Sequence, residues 1–233
     1  MRKNQLLCGE AKMDRRITWV GFGMESALTK TAVHFFGCST GVSAPYPAQV
    51  ILTRFQKEPQ AVALDGVRLN QPGGIMLESA FPGEVALCGV ALELSTNQTR
   101  ESLAESQCFF ELQSRVDVVR YRPTKVGAAP RNGVLIRDSK ISSSVIVINP
   151  TEQSQSCTWK CGEQAITLDP LAPWEVKEIQ IQDDWYAKVG KEVTGPRGVI
   201  YSMILSVSDP SSLIGYIIHR DSAVRKPVSV RPL

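Results

Sequence analysis

Ser144-Val145-Ile146-Val147-Ile148-Asn149-Pro150 decides the fold class. It is a run of β-branched residues, which are stiff at χ1 and pack well on a pleated surface. Asn-Pro stops it, because proline has no N–H with which to continue a ladder. Downstream, Ala165-Ile166-Thr167-Leu168 leads through Asp169-Pro170 to Glu175-Val176-Lys177-Glu178-Ile179-Gln180-Ile181. There apolar and polar residues alternate, as a half-buried strand requires. Segments of this kind are the strands of an antiparallel sandwich.

Around these segments the strand rhythm continues. Strands are expected near 134–137, 144–148, 156–160, 165–168, 175–181, 199–207 and 213–219, the pattern of a small immunoglobulin-like sandwich. Upstream, Arg122-Pro123-Thr124-Lys125-Val126-Gly127-Ala128-Ala129-Pro130-Arg131-Asn132-Gly133 holds two prolines and two glycines with little apolar content, so it reads as a linker. Before it, Arg16 to Val20 reads as a strand and Gly21-Phe22-Gly23 as a turn. Met24 to Phe36 reads as a short helix or a second strand. Further strands are expected at Ala48 to Phe55, Ala61 to Leu69, Ile75 to Leu77, Glu84 to Leu94 and Cys108 to Tyr121, with turn signals every ten or so residues. The expected organisation is an arm at 1–16, a sandwich or barrel-like β domain at 17–121, a linker at 122–133, an immunoglobulin-like sandwich at 134–219 and a second arm at 220–233.

Composition narrows the function classes. The chain has 233 residues, 43% of them apolar, and a net charge of +3. That is a globular composition, and no apolar run approaches the roughly 18 residues of a spanning helix. The first residues, Met1 to Glu10, have only a two-leucine apolar patch, so neither a secretory signal nor a membrane partner is expected. Positive charge concentrates at the ends. Arg2, Lys3, Lys12, Arg15 and Arg16 face only Glu10 and Asp14, while Arg220, Arg225, Lys226 and Arg231 face Asp221. A third basic stretch runs from Arg115 to Lys140. Without an aromatic-interleaved basic motif, no specific nucleic-acid readout is expected. Arg2, Lys3, Arg15, Arg16, Arg220, Arg225, Lys226 and Arg231 are the candidates for assembly arms that reach neighbouring subunits.

The stretch Val145 to Thr151, followed by Ile166-Thr167-Leu168-Asp169-Pro170-Leu171-Ala172-Pro173-Trp174-Glu175-Val176, resembles immunoglobulin-like domains of surface and virion proteins. In those an N-P-T ends one strand and an L-x-P corner leads into the next. Val20-Gly21-Phe22-Gly23-Met24-Glu25-Ser26-Ala27-Leu28-Thr29-Lys30-Thr31-Ala32 is similar to the opening of some tailed-phage tail-tube proteins, some of which add such a domain. The resemblance implies a structural protein of a phage virion (head, neck or tail), made in the host cytoplasm. Its partners would be copies of itself and other virion proteins.

Motifs for chemistry are sparse, and neither an enzyme, a cofactor nor a metal is expected. Gly37-Cys38-Ser39-Thr40-Gly41 has the string of a nucleophile elbow, with His219 as a conceivable base, but Pro45 and Pro47 forbid the helix that must follow. A serine hydrolase using Ser39 is thus the weakest alternative. Gly21-Phe22-Gly23-Met24-Glu25-Ser26 lacks the third glycine of a dinucleotide fingerprint and the acid beyond it. Asp183-Asp184 lacks a converging oxygen cage, and His34 sits in an apolar run as a packed histidine. A sandwich that binds carbohydrate is the other alternative, with Trp159, Trp174, Trp185 and Tyr186 as candidate platforms. Of six cysteines, Cys157 and Cys161 are the candidates for a cross-link; free thiols are expected for the rest.

Overall fold

Val145 to Ile148 lies in a strand covered on both faces, which is why the run is continuous instead of alternating. The computed structural model describes residues 16–36, 46–47, 49–64, 68–69, 74–95, 107–115, 117–126, 128, 132–156, 158–161, 164–181, 186, 191–195, 198–207, 213–224 and 226–233. Its first half supplies β1 (Arg16–Glu25), β2 (Thr29–Phe36), β3 (Tyr46–Pro47), β4 (Gln49–Phe55), β5 (Pro59–Leu64), β6 (Arg68–Leu69) and β7 (Gly74–Met76). A single helical turn, α1 (Leu77–Ala80), precedes β8 (Val85–Ser95), β9 (Gln107–Ser114), β10 (Val118–Tyr121) and β11 (Thr124–Lys125). The second half supplies β12 (Gly133–Arg137), β13 (Ile141–Ile148), β14 (Thr158–Cys161), β15 (Gln164–Thr167), β16 (Val176–Gln180), β17 (Lys191–Gly195), β18 (Gly198–Val207), β19 (Ile214–Asp221) and β20 (Pro227–Pro232). The protein is an all-β antiparallel sandwich, as its sequence indicates.

Four main sheets stack. Their strand orders are β11-β1-β8-β4-β5, β10-β9-β2-β7, β16-β13-β19-β20 and β12-β18-β14-β15, the last with β17 on β18; β3 and β6 form a small ribbon. The β16-β13-β19-β20 sheet is the central layer. Ile146, Ile148, Tyr216 and Ile218 on one face join the core built from Phe22, Leu52, Leu92 and Phe110 of the first half. On the other face Val145, Val147 and Ile217 pack with Leu135, Trp159 and Leu171. The register Val145↔Ile217 and Ile146↔Tyr216 places each pair on its own face. Burying each of these large side chains contributes about 1.5–3 kcal/mol.

The expected domain boundaries are therefore corrected. The two halves share a core, so 17–121 and 134–219 are not separately packed units. The expected linker contains β11, which pairs with β1 through Trp19↔Lys125 and Val20↔Thr124. Residues 220–233 are no free arm: they complete β19 and form β20 on its edge, with Leu233 buried in the second core. Gly21-Phe22-Gly23 is strand, not turn; a Cβ on Gly21 would lie 2.8 Å from the Phe110 ring, so glycine allows the second sheet to approach closely. The turn comes later, where Ser26 Oγ accepts the N–H groups of Leu28 and Thr29.

The edge of β1 that faces away from β8 is closed by side chains. The Thr18 carbonyl points that way, accepting the Val126 N–H at 2.9 Å, and strand alternation puts the backbone groups of Val20, Phe22 and Met24 on the same edge. The Tyr216 hydroxyl accepts the Thr124 N–H at 2.7 Å and donates to the Val20 carbonyl. The Tyr121 hydroxyl accepts the Phe22 N–H at 2.8 Å and donates to the Phe22 carbonyl. The Thr31 hydroxyl does the same for Met24, at 2.8 and 2.9 Å. Three hydroxyls thus take the place of a neighbouring strand, and buried backbone groups that would otherwise lack partners are satisfied.

The Asn-Pro that ends the opening run is a structural knot. Asn149 is fully buried; its Nδ2 donates to the carbonyls of Gln153 and Ala172, each at 2.8 Å, and its Oδ1 accepts the Thr151 hydroxyl at 2.7 Å. This pins the corner after β13 to the corner before β16, where Trp174 holds a positive φ of 58° and stacks its ring edge-on against Phe55. Asn149→Ala removes the donor that joins the two corners, while the carbonyls of Gln153 and Ala172 keep the Thr151 hydroxyl (3.0 Å) and the Glu175 N–H (3.2 Å). Its expected cost is about 1–3 kcal/mol, at roughly 0.5–1.5 kcal/mol for each hydrogen bond lost. Urea unfolding with an unchanged m-value checks it, and a cost below about 0.5 kcal/mol contradicts the role.

Candidate functional site

Three sheet edges meet at one cleft. β10 ends the second sheet, β20 ends the central sheet and β12 ends the fourth, and all three line a depression of about 1110 Å3. β10 and β20 lie side by side without a backbone hydrogen bond between them, joined at one end by the ion pair of Lys226 with Asp117. The Ser114 N–H to Asp117 carbonyl bond (2.8 Å) sets the phase of the β9–β10 ladder, so Val118 and Arg120 direct their backbone groups away from β9. In the same way the Leu233 N–H to Gly215 carbonyl bond (2.9 Å) leaves the backbone groups of Val230 pointing away from β19, while Val228 sits in the bulge between the His219↔Ser229 and Arg220↔Pro227 pairs. Pro227 and Pro232 bracket β20, a usual way to blunt an edge strand.

The walls combine apolar and cationic groups. Val118, Val134 and Val228 are 53%, 48% and 42% exposed, an uncommon state for β-branched residues, and all three line this cleft. Arg120, Arg122 and Arg231 also line it, and none of the lining residues is acidic. Glu111 neutralises Arg120, at 2.6 Å from its Nε. Arg122 and Arg231 are exposed and carry no carboxylate partner among the described residues.

His219 stands beside this cleft next to a buried serine. Ser143 Oγ accepts the Ile136 N–H at 2.8 Å, donates to the Ile136 carbonyl at 2.7 Å and lies 2.7 Å from His219 Nδ1. With the hydroxyl proton committed to the carbonyl, Nδ1 carries the proton and donates to Oγ, which leaves Nε2 as an acceptor. Burial, and secondly the positive charge of Arg231, lower the affinity of this imidazole for a second proton. The pair is not a catalytic dyad: Ser143 is buried and closes the free edge of β12 at Ile136, as the tyrosines close β1. His219 is thus engaged with Ser143, and Ser39, its conceivable nucleophilic partner, lies outside the described residues.

The expected arm residues scatter. Arg2, Lys3, Arg15 and Arg225 lie outside the described residues, and Arg16 opens β1 opposite Ser95. Arg220 is not offered to a neighbour. Its guanidinium holds Glu178 of its own central sheet at 3.0 and 3.1 Å. Lys226 is likewise paired within the chain, so among the described residues of the C-terminal set only Arg231 is exposed without a carboxylate. Cys157 and the Cys161 side chain lie outside the described residues, and no cross-link is assigned. Cys88 and Cys108 are buried free thiols; burial pushes Cys88 up to about 12 and Cys108 further. Trp159 and Tyr186 are core residues and Trp174 packs on Phe55, so these aromatics form no open platform; Trp185 lies outside the described residues.

Two other polar groups belong to packing. His34 stacks on Phe109 with ring centroids 4.7 Å apart, its other side against Gly74, and its Nε2 is 3.8 Å from Glu111. Buried Glu25 accepts the Thr31 N–H at 2.8 Å, and burial raises its pKa. Among the described residues no group of three potential metal ligands converges, and no helix is long and apolar enough to cross a membrane. Sequence reasoning missed the cleft because its cationic pair, Arg122 and Arg231, comes from the expected linker and the expected arm. The strand character of Pro227-Val228-Ser229-Val230-Arg231-Pro232, with valines two apart between prolines, was the available signal. Neither a protein-family model nor a curated protein matches this chain.

Proposed function

We propose that the chain is a non-catalytic structural protein of a bacteriophage virion, a head, neck or tail component, that acts through subunit–subunit assembly. The observation that supports this reading is the meeting of three sheet edges in one cleft with exposed valines, a surface suited to strand addition and not to chemistry. The polar groups that could suggest catalysis, Ser143 with His219, are committed to backbone closure. The partners are copies of the chain and other virion proteins; residues 1–15, basic through Arg2, Lys3 and Arg15, are the arm that reaches a neighbouring copy away from this cationic cleft, and the cleft itself serves another virion protein. The glycan-binding alternative has lost most of its aromatic candidates to the core.

Sedimentation and negative-stain imaging of the purified full chain test the proposal. A ring, tube or shell is the expected result, and Ser39→Ala should leave it unchanged. A protein that stays monomeric at high concentration and binds glycans, or an esterase activity lost on Ser39→Ala, overturns it.

A further inference from the structure

We propose that the cleft between β10, β12 and β20 binds an extended, acidic, valine-like segment of a different protein by strand addition. The inference rests on the reading of sheet edges as contact surfaces and adds the chemistry of the occupant. Two features of the cleft select it. The first is backbone: Val118 and Arg120 on β10, and Val230 on β20, turn their N–H and C=O groups away from their own sheets, and Val228 lies in a bulge of the same edge. Where the short β11 leaves the edge of β1 uncovered, hydroxyl groups meet the backbone of Phe22 and Met24, and the Tyr216 hydroxyl bridges Val20 to Thr124. On β12 such a hydroxyl serves Ile136 but none serves Val134. A partner strand supplies the missing donors and acceptors, and its alternate side chains fall on the exposed valines.

The second feature is charge. Arg122 and Arg231 lie on this cleft without carboxylate partners among the described residues, and none of the residues that line it is acidic. A carboxylate-bearing strand gains charge-assisted hydrogen bonds from both guanidinium groups, which suit planar bidentate recognition. The same charges disfavour the chain's own N-terminal segment, where Arg2, Lys3, Lys12, Arg15 and Arg16 outnumber Glu10 and Asp14. The cleft thus takes a heterologous acidic strand and rejects the basic arm of a second copy. Nucleic acid would use the arginines but would leave the valines and the strand edges unmatched.

Fluorescence anisotropy with the full chain tests this. The probe is a labelled, end-blocked octapeptide of alternating glutamate and valine. Competitors are the lysine–valine analogue, an analogue N-methylated at alternate residues, and an oligothymidylate. The acidic probe is expected to bind, while the lysine and N-methylated forms should not compete. The double variant Arg122→Glu/Arg231→Glu should weaken binding by about tenfold or more, and Val134→Glu should weaken it too. Both arginines are exposed, so the variants should melt like the parent; Arg122→Gln/Arg231→Gln separates lost attraction from added repulsion by giving a smaller loss. Absence of binding at millimolar probe, binding indifferent to the double reversal, or tighter binding of oligothymidylate would each overturn the inference. Assembly by the bare chain without probe binding sinks this inference alone, whereas probe binding by a chain that never assembles sinks only the assembly reading.

Discussion

Tyr216→Phe is expected to destabilise the protein by about 2–4 kcal/mol while leaving its core volume almost unchanged. The phenyl ring keeps its edge contacts with Phe22 (5.4 Å between centroids) and Tyr121 (5.3 Å), so only the hydroxyl is lost. That hydroxyl accepts from Thr124 and donates to Val20, so its removal strands an N–H and a carbonyl in the interior. Each stranded group costs roughly 1–3 kcal/mol, more than an ordinary hydrogen bond contributes. Tyr121→Phe should act similarly through Phe22. Because both phenols serve the same strand edge, the double variant is expected to deviate from additivity. Urea unfolding of the four proteins checks this, and a Tyr216→Phe cost below about 0.5 kcal/mol contradicts it.

The same residues give an alkaline limit. Burial raises the pKa of both Tyr121 and Tyr216 above the usual 10.0. In the unfolded chain these phenols ionise at their ordinary pKa, so above about pH 10 the unfolded state has released protons that the folded state still holds. Stability therefore falls as pH rises through this region, and the fall should be shallower in either phenylalanine variant.

Much of the layer architecture was legible in local sequence, and the parts that were not share one cause. The runs at Gln49–Phe55, Val85–Ser95 and Ile141–Ile148 announce strands because their side chains alone satisfy the pattern. Gly21 and Gly23 look like a turn because glycine's freedom is visible in sequence, whereas the Phe110 ring and Leu77 side chain that demand the missing Cβ atoms come from β9 and α1, far along the chain. The shared core was invisible for the same reason: nothing in Tyr216 or Ile146 says that their face meets Phe22 instead of solvent. For the site, Arg231 was picked out by its charge, but its role depends on the β19–β20 register and on a cleft wall lying about a hundred residues upstream.

Removal of residues 227–233 should abolish the stable fold, a result opposite to that expected of a detachable arm. Seen as sequence, the segment has a basic character and two prolines; in the structure Pro227, Val230 and Leu233 are buried, the last two serving one core each. Val230 joins the core of the first half, and Leu233 fills the space left by Gly215, whose Cβ would lie 3.1 Å from it, in the core on the opposite face. Their burial contributes about 3–6 kcal/mol together. Loss of the β19–β20 ladder adds to this and leaves β19 as a long apolar edge, open to pairing with other chains. Against a typical total of about 5–15 kcal/mol, the combined loss leaves little or no folded protein. The truncated chain is therefore expected in aggregates, and Val230→Ala and Leu233→Ala should each cost about 2–4 kcal/mol as soluble proteins. A truncated chain with the parent's melting temperature would restore the arm reading; a melting temperature lowered in step with the two alanine variants would place these residues in the body of the fold.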